Sequence, residues 1–156
     1  MQIIVEALNK DYDTQSNLEN LMVYALTNKC TSSCYLEYFN AGAIIAYEEM
    51  AKIQNNRGKT ENRFTRHFVV SFNDTFCTAA ETAMMLAHKI ALFYAIRYQI
   101  VFAVYEEKKH VRVHFVFSTV NFADQTKFPE DFFEIAKFRE CVEYVINDYE
   151  DNLNRY

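Results

Sequence analysis

Proline and glycine are almost absent: the 156 residues hold one Pro and two Gly. Both interrupt regular elements, so their scarcity predicts long helices and strands joined by short loops. No run of 18 apolar residues occurs, and the N-terminus has no basic segment followed by an apolar one. Neither a membrane-spanning helix nor a secretory signal is supported, so no membrane partner is expected. Tryptophan is missing, yet 14 Phe and 11 Tyr stand within a hydrophobic fraction of 51%. That is enough to build a sizeable core in a single domain over 1–156. The four cysteines are Cys30, Cys34, Cys77 and Cys141, and Cys30-x3-Cys34 has no second pair to complete a metal site. Without a secretion signal they read as free thiols in a reducing cytoplasm.

An excess of positive charge is also lacking. The net charge of −5 sets the chain apart from strongly basic proteins that advertise nucleic-acid binding. Its distribution says more. Residues 1–51 carry two positive and seven negative groups, and 129–156 carry three and eight. Between them, 52–66 carries five positive groups against one negative. Acidic ends thus flank a basic middle, which can engage phosphates inside an overall field that weakens such binding.

Residues 1–8 read as a short strand or a lead-in. Ser16 and Glu19 have capping-box spacing. Leu18, Leu21, Met22, Ala25 and Leu26 share a helical face, which predicts a helix to about Asn28. Tyr24 lies about 130° from the centre of that stripe, at 100° per residue, so its phenol is available. A short strand over 34–39 and a helix over 43–55 follow, then a polar, basic loop over 55–66. A strand is expected over 66–73. A long helix opens at Thr78, with Ala79, Ala83, Leu86, Ile90 and Phe93 at helical spacing and its Met pair and aromatics assigned to the core. Pro129 suits the start of a final helix to about 149, with Phe132, Ile135, Val142, Val145 and Tyr149 inward.

The most informative stretch is 98–122, YQIVFAVYEEKKHVRVHFVFSTVNF. It reads as two strands, over 98–106 and 109–120, joined by the charged turn Glu106-Glu107-Lys108-Lys109. Side chains alternate along a strand, so Val111, Val113, Phe115 and Phe117 line one face. His110, Arg112 and His114 form a row on the other. Two readings of that row stand: it meets solvent at a sheet edge, or it forms a site for an anion or a metal. The expected fold class is α+β, an antiparallel β-sheet with helices packed on it.

HVRVHFVFSTVNF resembles the core motif of the relaxase/mobilisation nucleases, DNA-nicking enzymes of the HUH type that serve plasmid and integrative-element transfer. The usual motif is His-x-His-x-His, an apolar run, then Asn-Ser-Val-Asn-Phe. His110 and His114 match the outer histidines, Arg112 replaces the middle one, and Ser118-Thr119-Val120-Asn121-Phe122 fits the ending. Residues 21–29, LMVYALTNK, resemble the family's early Tyr-containing stretch, and 66–72, RHFVVSF, its strand ending in Ser-Phe. The resemblance implies a two-layer sandwich and a cytoplasmic DNA-processing role in conjugation. It makes Tyr24 the nucleophile on a phosphodiester, and His110 and His114 ligands of a divalent ion. That ion would be Mg or Mn in an active domain and absent otherwise. Glu107 takes the place of the family's acid before the triad, and Tyr105 that of an imidazole. Arg112 becomes a candidate phosphate clamp. Arg57, Lys59, Arg63, Arg66, Lys108 and Lys109 are candidate DNA contacts, whereas His67 reads as structural. The implied partners are single-stranded DNA at a transfer origin and other mobilisation proteins. Three outcomes stay open: a nicking domain, an inactive DNA-binding relative, and a protein-interaction module whose acidic helices meet a basic partner.

Overall fold

A computed structural model describes residues 3–7, 35–39, 65–73, 79–107, 110–118, 120–123 and 134–155. The elements are β1 (Ile3–Ala7), β2 (Tyr35–Phe39), β3 (Thr65–Asn73), α1 (Ala80–Ala95), β4 (Ile100–Glu107), β5 (His110–Ser118) and α2 (Ile135–Leu153). The five strands form one sheet in the order β1-β3-β5-β4-β2, and every pairing is antiparallel. This is the α+β architecture that the strand and helix pattern implied. The helices expected over 16–28 and 43–55 lie outside the described residues.

β5 is the middle strand. Only β4–β5 joins neighbouring strands through a short connection; the other pairings bring distant parts of the chain together. The edge reading of the His110–Arg112–His114 row is therefore incorrect. β1 and β2 close the two edges, and the histidine strand has a hydrogen-bonded partner on each side.

One face of the sheet carries both described helices. Val70, Phe72, Phe102, Val113, Phe115 and Phe117 pack there against Leu86 and Ile90 of α1 and Val142 and Ile146 of α2. Phe138 of α2 is fully buried, stacked on Phe68 with centroids 4.4 Å apart and edge-on to Phe115 at 5.4 Å. Tyr94 of α1 adds a third side to this cluster, 4.9 Å from Phe117. Each such side chain contributes about 1.5–3 kcal/mol on burial, so the aromatic cluster anchors the layers.

The second face is buried as well at Val69, Val101, Ala103 and Val116. Burial on both sides explains why β4 reads as a continuous apolar run, IVFAVY, with no alternation. The cover on this face is not provided by either described helix.

Helix ends differ from the sequence reading. α1 is capped at Ala79 in an extended conformation, with no side-chain cap bond. Thr78 lies outside the described residues. Tyr94 rather than Phe93 takes the inward position after Ile90, because i+4 stays nearer the buried stripe than i+3 does. Phe93 is 52% exposed and Met85 39%, so the aromatics and Met pair of α1 are only partly core. α2 starts at Ile135 after an extended Glu134 and continues to Leu153, so it begins later and ends later than expected. Phe132 lies outside the described residues. Cys141 is a free thiol set 3.9 Å from the Ile90 carbonyl. Burial pushes it up to about 12. The Tyr94 phenol is also raised, first by burial and then by the neighbouring Cys141.

Candidate functional site

Antiparallel register decides which side chains meet on the second face. Ser71 of β3 and Tyr105 of β4 are the direct partners of Arg112, so Ser71, Arg112 and Tyr105 stand side by side. One row toward the β4–β5 turn, Asn73 and Glu107 flank His110. One row in the other direction, Val69 and Ala103 flank His114, and beyond these lie His67, Val116 and Val101. The face therefore grades from polar and open to apolar and closed. Arg112 is exposed and His110 and Ser71 are half-buried, whereas Tyr105, His114 and His67 are buried.

His67 and His114 are diagonal neighbours across β3 and β5. His67 Nε2 and His114 Nδ1 are 2.9 Å apart, a hydrogen bond in which one ring donates its N–H to the other. Their exposures of 1% and 9% make this a buried polar contact, where an unsatisfied imidazole would be costly. Tyr105 completes the group, with its ring edge-on to His114 at 5.0 Å between centroids. The connection after β5 is held in place as well. The Ser118 and Phe122 amides donate to the Gln99 and Arg97 carbonyls at 2.9 Å. Asn121 Oδ1 accepts the Ala123 amide at 2.9 Å, an Asx turn.

The expected site residues divide accordingly. Arg112, His110 and His114 share one sheet face, as alternation requires. His114 meets His67, and not His110. Four residues of strand separate His110 from His114 by about 13 Å at Cα, whereas one ion holds its nitrogen ligands about 2 Å away. Among the described residues no three His, Cys, Asp or Glu side chains gather to hold a metal, and Arg112 puts a fixed positive charge in the row. The described residues therefore do not fit a triple-imidazole ion site. Arg66 pairs with Phe117 and lies on the helix-bearing face, so it does not share a patch with Arg112. Glu107 comes opposite His110 on the backbone register. Tyr24, Arg57, Lys59, Arg63, Lys108 and Lys109 lie outside the described residues. Ser71 was missed, and His67 was read as structural without its partner. A signal existed for both: His67 and Ser71 alternate along β3 as Arg112 and His114 do along β5.

The sequence profile of the relaxase family, MobA/VirD2-like nuclease domain, matches residues 24–150. That covers most of the chain. The protein belongs to the relaxase family. The match starts at Tyr24 and runs through the sheet into α2, so it includes the whole Ser71–Arg112–Tyr105 row. No curated protein and no solved structure gives a significant match. Membership ties the chain to DNA processing in mobilisation, in a family that is typically metal-dependent. No helix among the described residues is long and apolar enough to cross a membrane.

Proposed function

We propose that this relaxase-family domain binds single-stranded DNA at a transfer origin, with a backbone phosphate held at Arg112. One observation carries the reading: a solvent-exposed guanidinium on the central strand, between a hydroxyl residue and a phenol residue. Arginine pairs with phosphate oxygens in bidentate fashion, and its charge needs no ion to persist at neutral pH. Arg57, Lys59 and Arg63, with Lys108 and Lys109 in the β4–β5 turn, supply further phosphate contacts in this reading. Tyr24 is the proposed attacking residue of any strand cleavage, and Glu107 the proposed acid in place of the family's acid before the triad. The family match supports a DNA substrate. Phosphate contacts from these cations make the binding salt-dependent, and the net charge of −5 weakens it overall.

The test is fluorescence anisotropy of a labelled single-stranded oligodeoxynucleotide between about 50 and 200 mM salt, with the wild type and Arg112→Ala. Loss of one phosphate contact should lower the salt slope by about 0.7. It should weaken low-salt affinity roughly 5- to 30-fold, as expected for about 1–2 kcal/mol from an exposed charge-assisted contact. No binding at low salt refutes the proposal. That result would favour the acidic outer face of α2, where Glu140, Glu143, Asp148 and Asp151 are exposed, as a surface for a basic protein partner. A denaturation-resistant DNA adduct that disappears in Tyr24→Phe would add nicking to binding.

A further inference from the structure

We propose that the open end of the second sheet face is a metal-independent phosphodiester cradle. In it Arg112, Ser71 and Tyr105 take the phosphate, and the His67–His114 pair positions Tyr105 instead of holding an ion. This rests on the DNA-binding reading above and adds how the site works without the family's usual metal.

Three observations combine. First, the Ser71–Arg112–Tyr105 row consists only of groups that can donate: a hydroxyl, a guanidinium and a phenol. Adjacent strands are about 4.8 Å apart, so the row spans about 10 Å, a width that seats one phosphate with its flanking sugar oxygens. A phosphodiester at neutral pH offers acceptors alone, which matches that set. A dication in the same row would meet the Arg112 charge.

Second, one of the two imidazoles that flank the row is already engaged. His114 Nδ1 lies 2.9 Å from His67 Nε2, and both rings are buried. An ion between these nitrogens would have to displace their shared proton and draw buried ligands apart, with Arg112 two residues away on the same face. Third, the far side of His114 is covered by the Tyr105 ring, edge-on at 5.0 Å. A ring fixed on one side by a hydrogen bond fixes its neighbour on the other, and Tyr105 is the direct cross-strand partner of Arg112. The chain of contact is therefore His67 to His114 to Tyr105 to the phosphate beside Arg112. His67 and His114 are positioning residues in this arrangement.

Two measurements on the full chain test this. Anisotropy with a labelled single-stranded oligodeoxynucleotide at low salt is run in EDTA and in Mn²⁺, for wild type, Ser71→Ala, Tyr105→Phe and His67→Gln. Separately, NMR of histidine-labelled protein without DNA follows the His67 and His114 imidazole signals as Mn²⁺ is added. The expected result is an affinity equal within about twofold in EDTA and Mn²⁺, with both imidazoles unbroadened. Ser71→Ala and Tyr105→Phe should each weaken binding about three- to tenfold, the scale of one hydrogen bond to a charged group. His67→Gln should weaken wild-type binding yet have no further effect once Tyr105 is Phe, which a merely structural role would not produce. Tightening of tenfold or more by Mn²⁺, or selective broadening of either imidazole, overturns the inference while leaving DNA binding intact. Wild-type affinity in both Ser71→Ala and Tyr105→Phe also overturns it. Failure of the wild type to bind DNA at all would instead sink the reading of function, and the NMR titration would still decide whether the pair takes a metal.

Discussion

Replacing His67 with leucine removes one imidazole from a contact that is closed to water on both sides. The side chain is 1% exposed and its partner His114 9%, so no solvent replaces the lost hydrogen bond of 2.9 Å. Leucine keeps most of the packing volume, which confines the effect to the polar group left behind. One buried nitrogen without its partner costs about 1–3 kcal/mol. His114→Leu should cost a similar amount for the mirror reason. With both replaced, no orphaned nitrogen remains, so the double variant should be more stable than the sum of the singles by about 1–2 kcal/mol. Urea unfolding reads this directly. With a slope near 2 kcal/mol per molar, each single variant shifts the midpoint down by about 0.5–1.5 M at unchanged slope. Strict additivity, or single variants within about 0.5 kcal/mol of wild type, would show that the contact contributes nothing and would refute the reasoning.

Two further outcomes follow from the helix layer. Phe138 is fully buried and stacked on Phe68 at 4.4 Å, so Phe138→Ala should lose about 3–5 kcal/mol in urea unfolding; a loss under about 1 kcal/mol would mean that α2 is not anchored there. Burial holds the Cys141 thiol up at about 12 against 9.0 for a free thiol. Native protein should therefore alkylate far more slowly than urea-unfolded protein at mildly alkaline pH. The unfolded thiol loses its proton first as pH rises, so wild-type stability should fall relative to Cys141→Ala between about pH 9 and 12. A flat difference over that window would contradict the assigned cause.

Much of the framework was legible because strand periodicity is local. HVRVHFVFS alone puts Val111, Val113, Phe115 and Phe117 on one face and His110, Arg112 and His114 on the other, and the sheet keeps that division. Short runs of β-branched and aromatic residues place the strands over 65–73 and 100–107 to within two residues. Helix α1 was visible for a similar reason, since small and apolar residues repeat along one side of it. The departure at Arg112 from a triple-histidine row was equally plain in the residues.

What periodicity does not carry is the order of strands and their register, which join residues far apart in sequence. Nothing in the chain places β5 at the centre of the sheet; that follows from β3 pairing with it across 47 residues at His67 and His114. Only that register turns His67 from an isolated strand residue into the hydrogen-bond partner of His114, and brings Ser71 and Tyr105 to either side of Arg112. The strand rise keeps His110 and His114 apart even though they share a face. Thus the sequence by itself determined which side chains face together, because that is a property of one strand. Tertiary structure decided which of them touch, because contact across a sheet depends on long-range pairing that no single strand encodes.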